Sequence, residues 1–223
     1  MRVVVAGGHG KIALRLEGHL AGRRDAVVGL IRNPEHADDV REVGAEPVVV
    51  DLEHASPEEL SRHLVGADAV VFAAGAGPGS GAARKATVDR DGAILLADAA
   101  RLAGVRRYLM VSAVGVDEDP PAGTDPVFAA YLRAKRAADD ELRRRHDLGW
   151  TILRPGRLSD DPGSGRVTLG EGVGRGDTTR DDVAWVLGAL LDDPDTAGRT
   201  LDMYSGGLPI AHAVAAIARQ HLV

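Results

Sequence analysis

"VVVAGGHGKIA", residues 3–13, runs apolar from Val3 to Ala6, gives up its side chains around Gly7-Gly8-His9-Gly10, and then resumes apolar residues at helical spacing. The pattern reads as strand, turn and helix. Glycine lets a chain approach a ligand closely, and a helix N-terminus offers free N–H groups, so the turn suits something bulky and anionic. An ordinary βα turn is the other reading. The remainder of the chain has to decide between them.

Working outward, strand-like runs rich in Val, Ile and Leu fall at 2–6, 26–31, 46–50, 68–73, 106–111, 150–154 and 200–204, several of them apolar on both faces. Helical patterns fill the intervals at 11–21, 34–42, 57–64, 82–103, 126–145, 181–191 and 208–220. Ser56-x-x-Glu59 reads as a capping box, and Thr178-x-x-Asp181 reads the same way ahead of the helix carrying Trp185. Strict alternation with short connections predicts an α/β fold, a doubly wound Rossmann-type parallel sheet covered on both faces. No linker divides residues 1–223, so one domain is expected, with 156–223 forming a small C-terminal region over the substrate.

In such sheets ligands lie outside the carboxyl ends of the strands. Those ends are Gly7-Gly8-His9-Gly10, Arg32-Asn33, Asp51-Leu52, Ala73-Ala74-Gly75-Ala76-Gly77, Ser112 and Arg154-Pro155-Gly156, which puts the small, charged and hydroxyl residues on one rim.

Composition narrows the classes. A 44% hydrophobic and 27% charged chain without a bilayer-length apolar run is not expected in a membrane. The formal charge of −6 disfavours nucleic acid as a partner, and Arg143-Arg144-Arg145 reads as a solvated helix end. The absence of cysteine excludes thiol catalysis and zinc-thiolate sites, and His9 has no companion at metal-ligand spacing, so no metal site is read. The first strand starts at Arg2, directly after Met1, leaving no separate export signal, and a cytoplasmic location is the expectation. Lysine is confined to Lys11, Lys85 and Lys135 in an arginine-rich chain, which marks these positions as ones where a compact ammonium matters.

From Gly7 through Gly156 the chain resembles the short-chain dehydrogenase/reductase superfamily. The resemblance is to its atypical NAD(P)H-binding branch, which includes flavin and biliverdin reductase-like and NmrA-like proteins. It is carried jointly by "AGGHGKIA" at 6–13, "VDRDGAILLADAA" at 88–100, "LMVSAVG" at 109–115, "YLRAK" at 131–135 and "WTILRPGRL" at 150–158. Gly7-x-x-Gly10-x-x-Ala13 matches the family's glycine pattern with alanine in the last place, which serves helix packing more than phosphate approach. The resemblance implies cofactor contacts from Gly7, Gly8, His9, Gly10, Lys11 and Ile12 at the turn and from Ala74, Gly75 and Ala76 after strand four. It also implies Asp51 and Leu52 beside adenine, Lys135 at the ribose and Pro155 beside nicotinamide.

An acid at the end of strand two would accept the ribose 2′-hydroxyl of NAD, whereas an arginine pairs with the 2′-phosphate of NADP. "GLIRNP" carries Arg32 and no acid, so NADP(H) is favoured over NAD(H). Ser112, Tyr131 and Lys135 are the catalytic candidates. Four residues apart on a helix, Tyr131 and Lys135 share a face, and a phenol with pKa near 10 needs neighbouring positive charge to act near neutrality. Ser112 then holds the substrate oxygen while Tyr131 delivers a proton. Asp89 stands where relatives commonly place Asn, a departure that bears on any proton relay there.

Residues 156–223 are too few for the large substrate domain of sugar-nucleotide epimerases. Loops 115–126 and 156–165 are the expected walls, with Asp117, Glu118, Asp119, Asp160 and Asp161 beside Arg157. The expectation is an NADP(H)-dependent oxidoreductase passing hydride to a small carbonyl, quinone, flavin or conjugated acceptor. A second class stays open, a non-catalytic NADP(H)-binding redox sensor of NmrA-like type. The oligomeric state is open as well: helices 82–103 and 126–145 suit a dimer seam, and their arginines suit a monomer equally.

Overall fold

The computed structural model describes residues 1–77 and 79–219. In chain order it forms β1 (Arg2–Ala6), α1 (Lys11–Gly22), β2 (Ala26–Ile31), a 3₁₀ turn (Pro34–His36), α2 (Ala37–Glu42), β3 (Glu46–Val49), α3 (Pro57–Leu64) and β4 (Ala69–Phe72). There follow the single turn α4 (Ala82–Arg84), a π-helical segment (Lys85–Asp91), α5 (Gly92–Ala103), β5 (Arg107–Val111), α6 (Pro126–Arg143) and β6 (Gly149–Pro155). The C-terminal part holds β7 (Arg157–Ser159), β8 (Arg166–Gly170), β9 (Asp177–Thr179), α7 (Arg180–Asp192), a 3₁₀ turn (Pro194–Thr196), β10 (Arg199–Ser205), β11 (Leu208–Pro209) and α8 (Ile210–Arg219). Gln220, the last residue of the expected final helix, lies outside the described residues.

The sheet order is β11-β8-β10-β6-β5-β4-β1-β2-β3. The chain winds from β1 outward through β2 to β3, then restarts on the other side of β1 with β4, so the switch point lies between β1 and β4. Both faces are covered, which is why the strands read as continuous apolar runs. Val3 and Val5 pack with Leu16 and Leu20 of α1, Val183 and Leu187 of α7 and Val214 of α8, while Val4 and Ala6 pack with Leu60 of α3, Leu96 of α5 and Leu142 of α6.

Three expectations are corrected. The sheet is not strictly parallel: β8 runs antiparallel to β10, and β11 antiparallel to β8, closing one edge, while β7 and β9 form a separate parallel pair. The helix expected over 82–103 is interrupted by its π-helical segment, whose wider turn rotates Lys85 to Asp91 relative to a regular helix. The cap of α7 is one residue later than read, with Thr179 Oγ1 accepting from the Asp182 N–H at 3.0 Å. The box at Ser56 and Glu59 forms as expected, with both reciprocal hydrogen bonds made.

Candidate active site and dinucleotide cleft

Gly7 takes φ +84°, and a Cβ on it would stand 2.5 Å from Ala74 Cα; one on Gly8 would stand 2.7 Å from Gly29 Cα. These two glycines are therefore required by the protein's own backbone, which brings the ends of β1, β2 and β4 together. Gly10 begins α1 without a side-chain cap, and the first turn of that helix holds no acidic residue.

At this junction lies a cleft of about 520 Å³. Of the cofactor candidates, Gly7, His9, Gly10, Lys11, Arg32, Asp51, Leu52, Ala74, Gly75 and Ala76 line it. Gly8 is buried against Gly29, and the Ile12 side chain packs onto the core beside α1. Lys135 and Pro155 also stand away from the cleft lining. The His9 ring stacks on His36 at 3.6 Å and pairs with Asp39 at 2.7 Å, and Lys11 Nζ lies 2.5 Å from Asp160. Asp160 also pairs with Arg180 and approaches Arg15, so the 156–165 loop is tied across the start of α1. Arg157, expected beside these acids, pairs with Asp177 instead.

The sequence reading missed Glu53 and Arg84, which both line the cleft. Glu53 follows directly on Asp51-Leu52 at the end of β3, a signal that was available; Arg84 sits in α4 with no local signal. Arg84 Nη2 donates to Glu53 at 2.6 Å, Thr87 Oγ1 donates to it at 2.6 Å, and Arg32 Nη1 lies 3.3 Å away. The hydrogen bonds from Arg84 and Thr87 hold the Glu53 carboxyl down at about 2.

The catalytic candidates collect at the ends of β5 and β6 and on α6. The Ser112 N–H donates to the Leu153 carbonyl at 2.8 Å, and the Val114 N–H donates to that of Pro155 at 3.2 Å, which sets the two strand ends side by side. Ser112 Oγ is buried with no hydrogen-bond partner among the described residues. Lys135 is buried and donates to the Val111 carbonyl at 3.0 Å, with Asp89 Oδ1 at 3.5 Å. The second Asp89 oxygen accepts from the Ala76 N–H at 3.1 Å, which links Lys135 to the cleft.

The charges around the Tyr131 phenol come from several side chains. Lys135 is engaged by Asp89, and the ammonium over the Tyr131 ring is that of Lys85, 5.6 Å from its centre. Burial, with Asp89 and Asp139 adding negative charge, pushes the Tyr131 phenol above its ordinary value. Burial lowers Lys135, opposed by the same two carboxylates.

Behind this cluster Arg154 is buried between Asp139, at 2.7 Å, and Asp117, at 2.5 Å. Burial alone would lower its guanidinium, but the hydrogen bonds and charge of the two aspartates raise it, and Arg154 in turn holds Asp117 at about 2. Through Asp117 the 115–126 loop is pinned to the end of β6. Arg136 on Asp119 and Arg175 on Glu118 hold the same loop from outside.

Residues 7–194 match the family model described as NAD(P)H-binding. The chain belongs to that family. Solved structures described as short-chain dehydrogenases/reductases share its fold, one from Veillonella parvula in complex with NADP at 19% identity and a TM-score of 0.68, covering 93% of this chain and 96% of that one. Among relatives of the NAD(P)H-binding protein described here, the Bacillus subtilis protein YhfK, described as an uncharacterised sugar epimerase, is 35% identical over 96% of this chain and 99% of its own. A solved structure from Bacillus halodurans, described provisionally as an NAD-dependent epimerase/dehydratase, is 39% identical with a TM-score of 0.88, covering 97% of this chain and 99% of that one. A Stigmatella aurantiaca ketoreductase acting on a farnesylated dihydroquinoline oxide is 31% identical over 70% of this chain and 49% of its own. Among the described residues no helix is long and apolar enough to cross a membrane.

Proposed function

We propose that this protein is an NADP(H)-dependent oxidoreductase that reduces a small carbonyl, quinone, flavin or related conjugated acceptor. The observation that carries the reading is the continuity of the site. The cleft at the switch point, with Arg32 at its β2 end, connects through the Asp89 bridge to Lys135, one turn of α6 from Tyr131. The cleft fits a dinucleotide because Gly7 and Gly10, with Ala73 to Gly77, line it with backbone and small groups at the start of α1. Bound there, the reduced nicotinamide supplies hydride.

On this reading Gly10 and Lys11 hold the diphosphate, Asp51 and Leu52 border adenine, and Arg32 takes the 2′-phosphate. Ser112 orients the acceptor oxygen, and Tyr131 is the proton source for a carbonyl. Its raised phenol makes it a weak acid, which favours conjugated acceptors able to draw their proton from solvent. The small region after β6 supports a compact acceptor: α7 packs behind the sheet on α1, leaving loops rather than a second domain on the substrate side.

The buried Lys135–Asp89 pair favours one second reading, cofactor binding without proton transfer, as in a redox sensor. Titration with NADPH and NADH, followed by cofactor oxidation with quinones, flavins and aldehydes, separates the two. Tighter NADPH binding with turnover on conjugated acceptors is expected. Tighter NADH binding overturns the cofactor assignment, and binding without turnover across the panel favours the sensor.

A further inference from the structure

The sequence offers Arg32 and no acid at the end of β2, yet the fold brings an acid there from the neighbouring strand. β3 lies beside β2 in register Ile31 to Val49, so Glu53, just beyond the end of β3, reaches Arg32 across the cleft wall. Arg84, from α4, spends its guanidinium on the same carboxylate, with Nη2 at 2.6 Å and Nε at 3.2 Å. The carboxylate thus holds two guanidiniums in the part of a doubly wound fold where the cofactor's adenosine ribose lies.

We infer that Glu53 and Arg84, together with Arg32, set the selectivity for the cofactor's 2′ position, with Glu53 standing in for the 2′-phosphate between the two arginines. The inference rests on the reading of this cleft as the dinucleotide site. Two arginines alone match a doubly charged phosphate; with Glu53 between them the set carries one net positive charge, so a phosphate shares the guanidiniums with the carboxylate. The same carboxylate is an acceptor for a bare 2′-hydroxyl. The group therefore tempers the preference for NADP(H) that Arg32 alone would give. Hydrogen bonds from Arg84 and Thr87 keep the Glu53 carboxyl ionised near neutrality, so its own charge is constant there.

Adenosine 2′,5′-bisphosphate and 5′-AMP differ only in the 2′-phosphate, and calorimetric titration of each reads the site without turnover. Glu53→Gln keeps the size of the side chain and an oxygen for Thr87 while removing the charge. The ratio of the two affinities is expected to move roughly tenfold toward the bisphosphate, less at high salt, and Arg84→Met is expected to move it the opposite way by a similar factor. Arg84→Met leaves Glu53 in place, so it carries the test should Glu53→Gln fail to fold. A ratio unmoved in every folded variant overturns the inference, as does an equal loss for both ligands. A wild-type ratio near one overturns the NADP(H) reading by itself, because the inference is read from the change in ratio and not from its starting value.

Discussion

Lys135 Nζ and Asp89 Oδ1 lie 3.5 Å apart, with side chains 5% and 1% exposed. A lysine held in this way has its charge neutralised where it stands, and its influence on Tyr131 is correspondingly small. Removing the carboxylate charge has two expected results. Asp89→Asn leaves a buried ammonium without its counter-ion, and stability falls by about 3 to 5 kcal/mol in chemical denaturation. The Tyr131 phenol, freed of one neighbouring negative charge, titrates at lower pH, so the alkaline limb of the carbonyl-reduction profile moves down. A profile that stays in place would show that Asp89 does not act on the phenol.

Tyr131→Phe removes the transferable proton and leaves the cleft intact, since Tyr131 is absent from its lining. NADPH affinity is expected to hold, while carbonyl reduction falls by about 10²- to 10⁴-fold. Quinone or flavin reduction is expected to persist within a few-fold. Steady-state kinetics on both acceptor classes check this, and equal losses on both would assign Tyr131 to packing against Phe128, whose ring centre is 5.9 Å away.

Much of the fold was legible because local rules and tertiary packing agree. Val3 to Ala6 fills both layers as a buried parallel strand must, and Ser56 and Glu59 form the box their spacing predicts. The antiparallel strands β8 and β11 were not legible: Arg166–Gly170 buries only Val167 and Gly170, and Leu208–Pro209 is two residues long, so neither has a usable period. Arg84 reaches Glu53 only because the chain after β4 turns back over the cleft, and Lys85 reaches Tyr131 from the π-helical segment. Glu17 does carry a signal in the sequence, since it shares the inward stripe of α1 with Ala13, Leu16 and Leu20.

Arg154 and Asp139 form a buried pair at 2.7 Å, with Asp139 wholly inaccessible. Arg154→Met strands that carboxylate and is expected to cost about 3 to 5 kcal/mol near neutral pH, less in acid where Asp139 takes up a proton. Adding Asp139→Leu removes the stranded charge, and most of the loss should return. Denaturation of the two single variants and the double variant measures the coupling. A double variant as unstable as the sum of the singles would show that the pair does not act as a unit.

Glu17 is completely buried, neither of its carboxyl oxygens has a hydrogen-bond partner among the described residues, and burial raises its pKa from 4.5 to about 8. Its carboxyl is wedged between the glycine turn and β2, since a Cβ on Gly8 or Gly29 would stand 2.9 or 2.8 Å from Oε1. An acid whose pKa is raised in the folded state holds its proton there while the unfolded chain releases it. Its contribution is therefore fully retained below pH 4.5 and is lost progressively as pH rises to about 8, at roughly 1.4 kcal/mol per unit. Glu17→Met removes the titrating group and the unpaired polar atoms with little change in length. The stability difference between variant and wild type should grow steadily in the variant's favour across that window, reaching several kcal/mol at its upper end and remaining level beyond it. Urea unfolding at closely spaced pH values gives the difference directly, with other titrating groups cancelling between the two proteins. A difference that does not change with pH would mean that Glu17 is ionised or solvated in the native protein, and a variant less stable at pH 8 would mean that its carboxylate contributes to the fold.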